Sequence, residues 1–449
     1  MALASADTLP EAIEIRMADD ARRGAEPDTL SGLHLPPTFV ADHAVRALAY
    51  QGAMTPAEIA RRWRVNDAVA VEAVESLKAA GLIELVPGQT NFERTGRVHL
   101  TAAGRERVAE ARRRTWYAGA LPVSLSDFVQ RMEIDLHETI DVSNAEAELT
   151  GLAVDPGRAA EIGQAMHAGA TVALHGAACD EQAQIALALG RAFEGAVSLP
   201  FALYAAGAIV RVVDPRYHRT REAHEQDEAS VDILRSHERH TQWASVARPV
   251  VTLSGGVQPA DVVPAYDDEA RFYMAPMPFA ACRGLLAVLD SAADPGALAD
   301  LARLWLLPGR HHTGVMLLRS GERIEVPWRA ASILFGATAA MLPSGLREAL
   351  TYDIDIGMLA GEALIQFLTN RLPDPGLFPP ESIEATARLL ERCGLTTRIC
   401  AANTAAYLRD RAAYTGLRFA LDPATLERAI DFAGGRSAQA ESRGLRTAS

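Results

Sequence analysis

The stretch Thr171-Val-Ala-Leu-His-Gly-Ala-Ala-Cys-Asp-Glu-Gln-Ala-Gln has the outline of a phosphate-binding turn: an apolar strand closing at Gly176, then a helix expected from about Gln182. Such a turn holds phosphate through backbone N–H groups and the positive end of the helix dipole. Chemistry on a triphosphate needs two further groups, a lysine reaching the β- and γ-phosphates and a Ser/Thr hydroxyl on magnesium. Here the lysine position holds Gln182 and the hydroxyl position Ala183, and the chain's single lysine, Lys78, lies far upstream. Between Gly176 and Gln182, the turn carries Cys179, Asp180 and Glu181, so two carboxylates stand where a triphosphate would bring its own negative charge. The scaffold is present and the chemical groups are missing.

Other chemistry is thinly represented. The apolar strand Gly284 to Asp290 ends in one acid followed by Ser291. His218, His224, His237 and His240 lie among Glu225, Asp227, Glu228, Asp232 and Glu238, but no HExxH spacing occurs, and the stretch reads as a solvated charged insertion with no metal. His311 and His312 are adjacent in an expected loop, and no Gly-x-Ser-x-Gly nucleophile elbow is present. Cys179, Cys282, Cys393 and Cys400 form no CxxC pair and read as reduced thiols.

The elements that would position these residues fall into parts. Residues 1–32 and 434–449 lack periodicity and are expected to be a disordered leader and tail. No apolar run reaches the roughly 18 residues of a membrane span, and the leader lacks the basic and apolar regions of a secretory signal, so a cytoplasmic protein is expected. Residues 33–118 show a helix-turn-helix pattern: Thr55 caps Pro56-Ala-Glu58, Arg64-Val-Asn-Asp turns, and Ala68 to Ala80 is a helix ended by Gly81. Strands at Leu82 to Val86 and Arg97 to Thr101 flank Pro87-Gly88, completing a winged helix-turn-helix.

Its would-be recognition helix turns Asp67, Glu72, Glu75, Ser76 and Ala79 outward, whereas reading bases in the major groove favours Arg, Asn, Gln or Lys. Arg61, Arg62, Arg64, Arg94 and Arg97 could still grip backbone phosphates. From Leu35 to Ala118 there are 12 basic and 9 acidic residues, a net +3; the chain carries −13, which leaves −16 for the remainder. An acidic body discourages general nucleic-acid binding.

Residues 119–144 read as a linker. From 145 to 372 apolar strands alternate with helices, at Thr171 to His175, Ile209 to Val213, Val250 to Ser254, Gly284 to Asp290 and Ser332 to Phe335. That alternation predicts an α/β domain with a parallel sheet covered on both faces. Residues 373–433 are expected to be a wholly helical subdomain.

This order of parts, with Val212-Val-Asp-Pro-Arg-Tyr-His-Arg, Ala247-Arg-Pro-Val-Val-Thr-Leu-Ser-Gly-Gly, Phe272-Tyr-Met-Ala-Pro and Gly321-Glu-Arg-Ile-Glu-Val-Pro-Trp, resembles the AAA+ P-loop ATPases, a bacterial group with an N-terminal winged helix. The resemblance runs from about Leu30 to Phe432. It implies an AAA+-like P-loop domain with a helical lid, and it breaks at the catalytic positions. Gln182 and Ala183 replace the Walker A groups, Asp290 is the one acid left in Walker B, and sensor 1 falls at Thr338. The arginine-finger region reads Glu348-Ala-Leu-Thr-Tyr-Asp. The sensor 2 arginine falls at about Asn403, with Arg398 near enough to take its place under a shift of register. A finger arginine contributes about 10³–10⁵ in rate. The expectation is a pseudo-ATPase without cofactor, acting as a scaffold or regulatory subunit through a protein partner or homo-oligomer, with an active AAA+ relative as one candidate. Two alternatives stand beside it: a winged-helix DNA-binding regulator, and a residual ATPase that still binds ATP and Mg weakly.

Overall fold

The computed structural model describes residues 26–86, 96–137, 140, 142–220, 241–254, 257–290, 295–336, 342, 344–415, 428–429 and 431–432. Helices α1 (Pro37–Gln51), α2 (Pro56–Trp63) and α3 (Asp67–Ala79) are followed by the antiparallel pair β1 (Ile83–Leu85) and β2 (Val98–Leu100), then by α4 (Ala102–Arg114). The start of α2 is set by Thr55, whose side chain accepts from Glu58 N–H while Glu58 accepts from Thr55 N–H, with Pro56 at the first helical position. Arg64 ends the helix in the left-handed region at φ 57°. Trp63, Val69, Val74, Leu77 and Val98 share one core.

The segment expected as a linker is structured and integral. Leu121 is buried in that N-terminal core and donates its N–H to Trp63 O, while β3 (Val123–Ser124) and α5 (Leu125–His137) bury Val123, Phe128 and Met132 in the main core. The i, i+4 spacing of Phe128 and Met132 places both on one helical face.

After α6 (Ala145–Gly151) and α7 (Pro156–His167), β4 (Thr171–His175) enters the central sheet and α8 (Cys179–Ala192) leaves it. With β9 (Val250–Leu253), β12 (Leu285–Val288), β15 (Ala331–Phe335) and β16 (Tyr352–Asp355), the order is β16-β4-β15-β12-β9, and every pair is parallel. The inner strands β12 and β15 are buried at every position, whereas the edge strands β9 and β16 are only partly covered. That is the burial of a sheet covered on both faces. The loop after β4 emerges between β15 and β16 at the carboxyl edge, where open α/β sheets place ligands.

One strand expected in this sheet lies elsewhere. Residues 209–213 contribute to β7 (Ala208–Arg211), part of a second, mixed sheet of order β10-β11-β7-β6-β3 that includes β6 (Ala202–Ala205), β10 (Ala265–Asp267) and β11 (Phe272–Met274). An antiparallel ribbon of β5 (Ala196–Pro200) and β8 (Trp243–Ala247) and the hairpin of β13 (Thr313–Leu317) and β14 (Arg323–Pro327) complete this half. Its centre is a tryptophan pair, Trp305 against Trp328 at 5.5 Å and 70°, whose indole N–H groups donate to Val262 O and Pro278 O.

The C-terminal helical unit begins earlier than expected. Helix α9 (Glu362–Arg371) packs Leu364, Phe367 and Leu368 with Ile383 and Leu390 of α10 (Pro380–Arg392) and Leu408 of α11 (Arg398–Thr415). Among the described residues, no helix is long and apolar enough to cross a membrane.

Candidate functional site

The turn between β4 and α8 begins at Gly176, whose φ of 87° belongs to the region glycine favours. A Cβ at this residue would lie 2.3 Å from backbone atoms of Gly357, so the turn and the segment leading to the helical unit meet backbone to backbone. Gly357 in turn accepts the Arg398 N–H at 2.8 Å, which anchors the start of α11 beside the turn.

At the head of α8 the carboxylates are engaged. Glu181, 5% exposed, accepts the Ala178 N–H on one oxygen at 3.0 Å and Arg398 Nη1 on the other at 2.6 Å. It thereby occupies a backbone donor of the turn and neutralises an arginine of the helical unit. Asp180 accepts from both terminal nitrogens of Arg371, one of them at 2.9 Å. This forked geometry is the one arginine uses on carboxylate and phosphate alike. The Arg371 hydrogen bond holds the Asp180 carboxyl below its usual range, against the opposing effect of partial burial. Arg398 is 1% exposed and also donates to the carbonyls of Ile356, Leu152 and Ala153. Burial lowers its pKa, and Glu181 acts in the opposite direction. Both guanidinium groups lie over the Phe367 ring, at 4.8 Å for Arg371 and 5.2 Å for Arg398.

Gln182 is 4% exposed and accepts the Asp290 N–H through Oε1 at 2.9 Å. The amide at the lysine position thus ties α8 to the end of β12. Asp290 is exposed and sits in the left-handed region at φ 50°. Ala183, beside Gln182 on α8, has no group for a metal. Cys179 is exposed and forms no disulfide.

Arg398, rather than Asn403, stands opposite the turn. Asn403 is half-buried further along α11, five residues on and so about 7.5 Å along the axis. Thr338 lies outside the described residues, and Gly336 before it donates its N–H to Leu174 O at 3.0 Å. Nothing in the local sequence points to Arg371, which is separated from Asp180 by 191 positions.

Of the arginines expected to face DNA, Arg62, Arg64 and Arg97 make contacts within the chain. Arg62 donates to Ala118 O at 3.0 Å and lies over the Tyr50 ring, and Arg64 lies 4.1 Å from the centre of Phe201. Arg97 pairs with Glu58 at 3.3 Å and donates to Ala53 O, Arg61 is exposed, and Arg94 lies outside the described residues. On α3, Glu72 accepts the Leu30 N–H at 2.7 Å, so residues N-terminal to α1 reach this helix. His218 is buried with both ring nitrogens used, accepting from Asp214 N–H and donating to Ala280 O, which removes it from the histidine cluster. The other three histidines lie outside the described residues. Among the described residues no three metal-ligating side chains converge.

No family model matches the chain, and no curated protein matches it. Among solved structures, the chain is similar to one in a complex between subunits BchI and BchD of magnesium chelatase, built on a single-particle cryo-EM reconstruction. The likeness has 16% identity over 66% of this chain and 93% of that chain, with a TM-score of 0.29. A likeness at that score carries no argument about this chain, whose architecture is α/β with a five-stranded parallel sheet.

Proposed function

We propose that the chain is an AAA+-like pseudo-ATPase with an N-terminal winged helix, whose nucleotide position has become a fixed joint between sheet and lid, and that it acts as a scaffold or regulatory subunit through protein contacts. The observation that carries this reading is the pair of ion pairs at the head of α8. Asp180 and Glu181 supply anions at the turn, and Arg371 and Arg398 receive them. An incoming triphosphate would have to displace a buried carboxylate from its arginine, with no lysine or hydroxyl to receive it. Gln182 supports the same reading, because its amide oxygen already accepts the Asp290 N–H.

The test is thermal and enzymatic. Millimolar Mg-ATP is expected to leave the melting temperature unchanged and to release no phosphate. A ligand at 100 times its dissociation constant would stabilise the fold by about 2.7 kcal/mol, so modest affinity would be visible. Magnesium-dependent phosphate release that disappears in Asp290→Ala would overturn the reading. A DNA-binding regulator is the weaker reading, since Arg62 is engaged with Ala118 O and the Tyr50 ring, Arg64 lies on Phe201, and α3 presents carboxylates.

A further inference from the structure

A guanidinium carries five N–H donors, and a buried one that leaves them unmade costs stability. Arg46 of α1 is 3% exposed, and the described residues take only its Nε–H, which goes to Tyr117 O at 2.9 Å. Neither terminal nitrogen has a hydrogen-bond partner among the described residues; Nη2 is buried, and Nη1 is the one that solvent reaches. Asp42, one turn earlier on α1, is also buried, but its two oxygens are taken by Arg107, at 2.8 Å, and by Arg114. Burial draws the Arg46 pKa from 12.5 down to about 10, against the attraction of Asp42.

Arg46 lines a cleft of about 710 Å³ between α1, the end of α4, the second sheet and the turn joining β13 to β14. That is a volume typical of small-molecule sites. Its walls carry two ring pairs, Phe39 with Tyr204 at 4.3 Å and Tyr266 with Tyr273 at 4.8 Å. Of its other cations, Arg114 pairs with Asp42, Arg319 pairs with Asp268 at 2.5 Å, and Arg271 is exposed to water. Glu322 adds a second carboxylate to the lining.

We propose that this cleft binds a small aromatic carboxylate, its carboxylate entering at Nη1 of Arg46 and its ring lying among the two ring pairs. A charge-assisted hydrogen bond would then meet the one buried cation whose terminal nitrogens are unengaged. A phosphate dianion fits less well, because Asp42 and Glu322 oppose a second negative charge. An ammonium ligand is not served, since Asp42 already holds two arginines.

The experiment uses the full chain in a carboxylate-free buffer with phenylacetate as the probe, read by thermal shift and by saturation-transfer NMR. Phenylacetate is expected to bind saturably at millimolar concentration, the range for a ligand of this size, and to raise the melting temperature as it does so. Phenylacetamide, which lacks the charge, and acetate, which lacks the ring, are each expected to bind at least about tenfold more weakly. Arg46→Met keeps the aliphatic stem and is expected to weaken binding by at least about tenfold. Thr38 and Glu322 are exposed positions of the lining, and Thr38 lies in the first turn of α1, where an acid suits the helix. Thr38→Glu is expected to weaken binding about threefold and Glu322→Gln to tighten it about threefold. The proposal is overturned by absence of saturable binding, or by phenylacetamide or inorganic phosphate binding as well as phenylacetate does. It is equally overturned by an affinity that Thr38→Glu and Glu322→Gln both leave unchanged, a result that decides the matter even where Arg46→Met fails to fold. No nucleotide is used, so the result is independent of the joint at α8.

Discussion

Arginines gather at two junctions of this molecule and are treated in opposite ways. Where the helical unit meets the sheet, Arg371 and Arg398 each meet a carboxylate from the first turn of α8. Where the N-terminal unit meets the second sheet, Arg62 and Arg64 lie on aromatic rings, and Arg62 gives its Nε–H to a carbonyl. The described contacts of the first junction are ion pairs, and those of the second are ring faces and a carbonyl. An ion pair between two parts of a chain is lost when either partner is removed, whereas a guanidinium on a ring loses mainly packing.

The largest expected effect breaks the cancelled junction. Arg398→Ala strands the buried Glu181 carboxylate and three carbonyls, and should cost about 3–5 kcal/mol in urea denaturation, the usual result of removing one partner of a buried pair. Arg398→Met with Glu181→Leu should recover much of that loss, because no uncompensated charge then remains. A double variant as unstable as the single one would mean that the carbonyl contacts, rather than the charge pair, hold the joint.

A smaller effect tests the second junction, where His43 packs against Trp63 and Tyr117. His43 is fully buried and donates Nε2–H to Gly119 O, and burial with the Arg46 charge beside it pushes its pKa down from 6.5 to about 3. The folded chain therefore holds this ring neutral while the unfolded chain protonates it. Stability from this group is complete above pH 6.5 and is lost as the pH falls towards 3. At pH 5 the loss should be about 2 kcal/mol relative to pH 7.5, and His43→Gln should flatten that part of the profile. An identical pH dependence in the variant would show that other groups set it.

The smallest effect separates the two ion pairs of the joint. Asp180 is 58% exposed in its side chain, so water screens its pair with Arg371, and Asp180→Asn should cost no more than about 1 kcal/mol. A cost matching that of Arg398→Ala would place the strength of the joint at its rim.

Parts of this organisation are legible in the sequence for physical reasons. β4, β12 and β15 read clearly because strands buried on both faces are continuous apolar runs. The second sheet does not, since Ala202–Ala205 and Ala208–Arg211 are four residues each, too short for a period to emerge. Residues 119–144 read as a linker although Phe128 and Met132 already carry a helical spacing. At the turn, the residue types of Asp180 and Glu181 are plain and their role is not. In sequence they look like charges that repel a phosphate, and the structure pairs them with Arg371, 191 positions away, and with Arg398, which a linear reading places in another part. Arg398 comes into view only as a neighbour of Asn403, because register within a helix cannot be fixed without knowing which face meets the sheet.

The strand order sets a timetable. β4 lies between β15 and β16, and Glu181 waits for an arginine 217 positions downstream. At a synthesis rate of about 5–20 residues per second, that interval is on the order of ten to forty seconds. Throughout it the nascent chain presents an anionic turn, stabilised by the dipole of its own helix. The cations that complete the joint are made last, so docking of the helical unit against the sheet reports that the whole α/β domain has already been synthesised.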